Sequence, residues 1–559
     1  MSLIDPNRDD RYGPLTMKVE DVRVQMRDDI EIACRIYRPE EEGRYPALFA
    51  ASPYQYDTDD IPHSKLFLWR EVGPVEWYVS HGYAYVHMDV RGSGQSEGDY
   101  QFLGPEEQKD YHEIISWIAT QDWSDGNVGG MGQSYYAWAQ WMMAIEAPDA
   151  LKCIAPYDGS IDIYRGVAYH GGIYGDFLNW WYGNLVRPNN FHRAANGQSG
   201  QKMKTDLGWE LTMRPTYDEW WKERSAYERL NDIAIPVLSI GHQGKMGLHE
   251  RGNILGYEEV RGPKKLILTG AKDAFEAHDL FDKIEVHQQW LKPFYDHYLK
   301  DDDNQYPDET PNVQLFVRGT DEWINEPEWP LKRAVYTPYY LRKGPSDSVT
   351  SLNDGGLSLD PPGASEGATD YSYPDPKWHF GVSAMGPQGP DPVARNLTFT
   401  SDVLANDVTI AGPIVAELFV SSTNTDTEVF VKLTDQYPQS QEDRGKGLQP
   451  GWFIAAKGWL RASHREKDEA RTTDLRPFYT HTNPQPITPG EIYKLDIEVW
   501  PSAHCFKAGH RIRVDIAIGD SMITDTLFTH QYFYYKVGTD TYHHNAAHAS
   551  RILLPVIPN

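Results

Sequence analysis

The chain has 559 residues, 40% hydrophobic and 13% aromatic, and 53 Lys and Arg against 81 Asp and Glu give it a formal charge of −28. That length exceeds a single core, so two or three domains are expected. The acidic balance argues against nucleic acid or an anionic membrane as partner, because both require a basic face.

The opening MSLIDPNRDDRYG is polar and has no apolar signal core. Residues 20–38 then alternate polar and apolar side chains around Asp28-Asp29, the pattern of a β-hairpin. YPALFAASPY and GYAYVHMDVRGSG follow as short apolar runs closed by turn residues, which predicts buried parallel strands. Helical patterns cover 106–120 and 135–147, and LKCIAPYDG, IPVLSIGHQG and KKLILTGAKD predict three further buried strands. Strands alternating with helices imply a doubly wound α/β domain.

Residues 160–231 break the rhythm. They are rich in Trp, Tyr, Asn and Arg and lack β runs, so a mainly helical insertion over the strand ends is expected. From about residue 312 short alternating strands recur between Gly, Pro, Asn and Asp, the signature of a β-sandwich or jelly roll. Residues 344–385, rich in Gly, Ser, Pro and Asp, read as a long crossing loop. No apolar run approaches the ~18 residues of a membrane span. Cys34, Cys153 and Cys505 lie far apart without ligand spacing, and neither they nor His543, His544 and His548 suggest a metal site. The expectation is a soluble cytoplasmic protein without metal or cofactor.

Chemistry concentrates in NVGGMGQSYYAWAQW, residues 127–141. A serine hydroxyl becomes a useful nucleophile when a sharp strand-to-helix turn exposes it beside a base. Here a Gly-rich strand end leads to Ser134, and Tyr135 opens a helix whose first N–H would face a developing oxyanion. The G-x-S-x-G spacing is incomplete, because Tyr136 occupies the last glycine slot. DVRGSGQSEG, residues 89–98, lacks the ending of a phosphate loop and reads as a structural turn with an internal Asp89–Arg91 ion pair.

SPYQYD, HMDVRGSGQSEG, DWSDGNVGGMGQSYYAWAQW, RGTDEWINEPEWPL, AAKGWLRASHRE, YKLDIEVWPSAHCFKAGHRIRV and HHNAAHASRILLPVI span nearly the whole chain. Together they resemble the CocE/NonD family of α/β-hydrolases, related to cocaine esterase, α-amino acid ester hydrolases and Xaa-Pro dipeptidyl peptidases. The resemblance implies that Ser134 is the nucleophile. It also implies that the Tyr54 hydroxyl completes the oxyanion hole beside the Tyr135 amide.

At the other triad positions the sequence departs from the family pattern. Counted from the strand ends, Gly244 stands in the aspartate slot and Ala274 in the histidine slot. His278, four residues past the vacant slot, and His249, on the preceding loop, are the candidate bases; a third reading leaves no base at all. His249 is slightly favoured, because Asp273 or Glu276 could orient it, whereas His278 has Glu250 as its obvious partner.

The resulting expectation is a serine hydrolase with an α/β-hydrolase core (1–159 and 232–311), a helical lid (160–231) and a C-terminal all-β jelly-roll domain (312–559). Trp180, Trp181 and Tyr174 of the lid would bind a small-molecule ester or amide with a bulky apolar or aromatic group, with Tyr182 beside them. A homo-oligomer built on the jelly-roll surface is a further expectation. The rival reading is a non-hydrolytic or inactive member, serving in binding or proton transfer.

Overall fold

The hairpin around Asp28-Asp29 forms from β1 (Met17–Gln25) and β2 (Glu31–Pro39), and Asp29 takes a left-handed conformation (φ 65°) at its turn. The computed structural model describes residues 17–56, 71–195, 203–376, 385–386, 389–390, 393–521, 525, 528–530 and 536–558; the MSLIDPNRDDRYG segment lies outside them. The predicted apolar runs become β3 (Tyr45–Ser52), β4 (Ala84–Asp89), β5 (Ser124–Gly130), β6 (Leu151–Ile154), β7 (Val237–His242) and β8 (Lys264–Thr269). With β9 (Val313–Val317) and β10 (Glu322–Glu326) they make a sheet of ten strands in the order β1-β2-β4-β3-β5-β6-β7-β8-β9-β10.

Pairing is parallel from β4 to β9 and antiparallel at both edges. Because β4 and β5 flank β3 on opposite sides, the chain reverses direction across the sheet there. That switch point opens a crevice at the carboxyl ends of β3 and β5, the usual ligand position of an open α/β sheet. The predicted helices lie at Pro105–Ala119 and Tyr135–Glu146.

The sheet continues past residue 312, where the β domain was expected to begin. VQLFV alternates like a sandwich strand, but Val313, Leu315 and Val317 pack with Leu266 and Leu268 of β8, so burial assigns the segment to the first sheet. Residues 160–231 hold short helices, including Phe177–Trp181 and Leu207–Thr212, and one small hairpin of Tyr169–His170 with Ile173–Tyr174. Residues 344–385 are not a simple loop, since Gly355–Ser358 and Ala368–Tyr373 enter the second sheet.

That second sheet closes on itself. Val408–Ser422 pairs with Tyr493–Phe506 on one side and with Arg551–Val556 on the other, and Arg551–Val556 also pairs with Val335–Arg342. The two domains meet through buried polar contacts. The Ala503 amide donates to Gln243 Oε1 (2.7 Å), and Arg318 donates to the Ala455 carbonyl (2.6 Å). Among the described residues no helix is long and apolar enough to cross a membrane.

Candidate active site

Ser134 and Tyr54 sit just past the carboxyl ends of the parallel strands β5 and β3. Ser134 caps the helix Tyr135–Glu146 with φ 61° and ψ −118°, a strained conformation for a residue with a side chain. The turn is fixed from both sides. The Ser134 amide donates to the Tyr157 carbonyl (3.1 Å), and the Gln133 amide donates to the Glu71 carbonyl (2.8 Å). Gly132 is required at φ 119°, because a Cβ there would lie 2.4 Å from the Tyr136 Cβ. Ser134 retains 8% exposure.

Tyr54, just past β3, stands across the switch point. The Trp181 indole N–H donates to its phenol oxygen (2.9 Å), and the Ser134 side chain acts on the same phenol. Burial, reinforced by the nearby Glu71 carboxyl, holds the phenol well above its ordinary pKa, so it stays a donor. Tyr135 is the first helical residue, and its amide has no carbonyl four residues back to serve. The Tyr135 phenol donates to Glu107 Oε1 (2.7 Å), and its ring stacks on Trp181 (5.8 Å between centroids).

The proton acceptors expected from the sequence are placed less favourably. His249 is fully buried, and its Nδ1 accepts from the Trp138 indole N–H (3.2 Å). That bond assigns the proton of the neutral imidazole to Nε2, which has no hydrogen-bond partner among the described residues. Burial, with Lys245 nearby, pushes the pKa of His249 well down. The ring therefore presents a donor to its surroundings, not a free lone pair.

Asp273 does not orient His249. Its Oδ1 accepts from the Phe275 and Glu276 amides (3.1 and 3.0 Å), capping the helix Ala274–Phe281, while Glu276 accepts from the Lys272 amide (2.8 Å). Both acids are consumed in starting a helix where the family loop would carry histidine. His278 lies on that helix, with Nδ1 3.8 Å from Glu71 Oε1. Its acidic neighbour is thus Glu71, whereas Glu250 is buried elsewhere, and burial lifts its pKa to about 8 despite nearby Arg318. Gly244 has no room for the missing aspartate, because a Cβ would meet the Asp273 carbonyl oxygen at 2.6 Å.

Two other sequence expectations are corrected. Arg91 pairs with Asp110 (2.6 Å) and Asp28 (3.0 Å), while Asp89 accepts from the Tyr56 and Gln95 amides and so organises its own turn. Of the lid aromatics, Trp181 is 2% exposed and supports Tyr54, whereas Trp180 is 50% exposed and packs against Phe177. Tyr174 packs on Tyr169 (5.2 Å).

The residues that sequence reasoning missed form a buried polar group beside the serine. The Glu71 carboxyl is 3% exposed as a residue, neighbours the Ser134 hydroxyl, and has one oxygen, Oε2, without a partner among the described residues. Burial lifts its pKa to about 8, against the pull of Lys245 and Ser134 and with a push from Asp158. Lys245 Nζ lies 3.1 Å from Asp158 Oδ2, which also accepts from Gln133 Nε2 (2.9 Å), and His242 Nε2 lies 3.8 Å from the same oxygen. Burial raises the Asp158 pKa, but His242, Lys245 and His249 outweigh it and leave the carboxylate below its ordinary range. Nothing local in WREVGPVEWY marks Glu71, since its partners are distant in sequence. Among the described residues no His, Cys, Asp and Glu cluster could hold a metal, and all three cysteines are free and buried.

Comparison with known proteins places the whole chain among hydrolases. Residues 28–272 match the X-Pro dipeptidyl-peptidase (S15 family) domain, and residues 304–553 match the X-Pro dipeptidyl-peptidase C-terminal non-catalytic domain. A cocaine esterase of Rhodococcus sp. is 29% identical over 596 residues, covering 96% of this chain and 98% of the relative. A putative serine esterase of Mycobacterium bovis is 25% identical, covering 97% and 96%. The crystal structure of a CocE/NonD family hydrolase from Staphylococcus aureus superposes with a TM-score of 0.77 at 26% identity, covering 97% of this chain and 94% of that one.

Proposed function

Because this chain belongs to the CocE/NonD family of α/β-hydrolases and is an enzyme of the serine hydrolase kind, we propose that it cleaves an ester or amide through an acyl-enzyme on Ser134. The observation that carries this reading is the strained Ser134 turn facing a Tyr54 phenol whose oxygen already accepts from Trp181. The phenol hydrogen is then available to the substrate carbonyl oxygen, together with the Tyr135 amide. Attack by Ser134 Oγ forms the tetrahedral adduct, departure of the alcohol or amine leaves the acyl-enzyme, and water releases the acid. One such oxyanion donor is worth ~3–4 kcal/mol in the transition state.

A bulky apolar or aromatic group on the substrate suits the rings beside the serine, where Phe102, Trp138 and Trp181 gather around Tyr135. In this reading residues 160–231 serve as a lid, supported by the reach of Trp181 to Tyr54, and the closed β domain is a jelly roll bracing both. The substrate is a small molecule.

A second reading, a family member that binds without hydrolysing, is favoured by Gly244 and Ala274 at the usual triad positions. A fluorophosphonate probe with peptide mapping separates the two. The hydrolase reading expects labelling at Ser134, abolished in Ser134→Ala together with p-nitrophenyl acetate turnover. A wild-type protein that neither labels at Ser134 nor turns over the ester would favour the binding reading, and turnover that survives Ser134→Ala would refute Ser134 as nucleophile.

A further inference from the structure

Resting on Ser134 as nucleophile, we infer that Glu71 takes its proton, in place of the family's histidine. The Glu71 backbone is tied to the nucleophile turn by the bond from the Gln133 amide to the Glu71 carbonyl (2.8 Å), which brings this residue alongside Ser134. It neighbours the Ser134 hydroxyl, and Oε2 is an unspent acceptor. His249 already accepts from Trp138 at Nδ1 and carries its proton on Nε2. His278, with Nδ1 3.8 Å from Glu71 Oε1, stands as the neighbour of that carboxyl, and the acceptor we assign beside Ser134 is the carboxylate itself.

The step balances simply. The Oγ–H bond breaks as the proton passes to the Glu71 carboxylate, and Oγ bonds to the substrate carbonyl carbon. The carbonyl π pair moves to oxygen, held by Tyr54 and the Tyr135 amide. Glu71 returns the proton to the leaving alcohol or amine, then repeats the cycle with water. Among the described residues, the charged and titratable groups acting on Glu71 are Lys245, which favours the carboxylate, and Asp158 and Asp282, which oppose it, with His278 and the Ser134 and Tyr54 hydroxyls beside them. Their balance leaves a carboxyl near neutrality in its proton affinity, which suits a general base.

The test uses the full chain with p-nitrophenyl acetate and the fluorophosphonate probe. Wild-type kcat/KM should rise with pH around a midpoint near 8, since only the ionised carboxylate accepts a proton. Glu71→Gln should lower kcat by ~10²–10⁴-fold and slow Ser134 labelling in parallel, as loss of a general base does. Glu71→Asp should keep the alkaline midpoint with reduced kcat. Labelling at Ser134 with Glu71→Gln turning over within ~3-fold of wild type would overturn Glu71 and leave the serine intact. A wild-type midpoint near the ~6.5 of an ordinary imidazole would do the same. Turnover that survives Ser134→Ala would overturn both. The wild-type pH profile decides the matter even if a Glu71 variant does not fold.

Discussion

The Trp181 indole donates to Tyr54 across 2.9 Å, so a residue from the insertion sets the orientation of a phenol at the end of a central strand. The bond uses a lone pair on the phenol oxygen and leaves its hydrogen directed elsewhere. Tyr54→Phe should lower kcat by ~10²–10³-fold, as loss of one oxyanion donor does. Trp181→Phe should lower kcat less, by about tenfold, because the phenol remains but loses its guide. Steady-state kinetics with a chromogenic ester measure both, and unchanged kcat in Tyr54→Phe would reduce Tyr54 to a wall residue.

His249→Ala should retain turnover within about tenfold and preserve the alkaline midpoint. Its cost should fall on stability, since the Trp138 indole N–H loses its acceptor in a buried place, worth ~1–3 kcal/mol. A collapse of kcat by several orders of magnitude, with folding intact, would make His249 the base after all.

Rebuilding the family triad should fail. Gly244→Asp places a side chain against the Asp273 carbonyl oxygen and should destabilise the protein by ~1–3 kcal/mol. Ala274→His puts an imidazole in the first turn of a capped helix and should not raise esterase activity. A large gain from Ala274→His would show instead that the chain is a disabled hydrolase needing one side chain.

Ser134→Gly should be more stable than Ser134→Ala by ~1 kcal/mol or more, because glycine adopts φ 61° and ψ −118° without Cβ strain. Both should be inactive. Chemical denaturation of the two variants side by side gives the difference.

Glu71 also links pH to stability. Its folded pKa of about 8 lies above the ordinary 4.5 of an unfolded glutamate, so the folded state binds more protons between those values. Wild type should therefore lose stability relative to Glu71→Gln as pH rises from 4.5 to 8, with the difference constant above. Thermal melts at pH 5 and pH 9 would show it; a pH-independent difference would mean that Glu71 titrates normally.

The Ser134 turn was legible in a glycine-rich strand end before a helix, whereas Tyr54 stood out only through the family resemblance that SPYQYD helps to carry. The acids were misread for a physical reason. Asp273 and Glu276 are three apart, the spacing of a helix start, and the structure uses them that way. Trp180 and Trp181 are neighbours in sequence but about 100° apart around a helix, so one faces Tyr54 and the other solvent. Glu71 was illegible because burial and distant neighbours, not local sequence, give an acid its proton affinity. VQLFV alternates, and alternation reports a half-buried strand without naming the sheet that it joins.

The closure of the second sheet bears on how the chain is made. Arg551–Val556 fills the gap between Val335–Arg342 and Val408–Ser422, yet it is synthesised roughly 220 residues after the first of them. At ~5–20 residues per second, that leaves Val335–Arg342 without its neighbour for about ten seconds to three-quarters of a minute on the ribosome, and Val408–Ser422 for somewhat more than half as long. During this interval the core around β3 to β8 can already assemble, so newborn chains should carry a folded first domain and an open second one with unpaired strand edges.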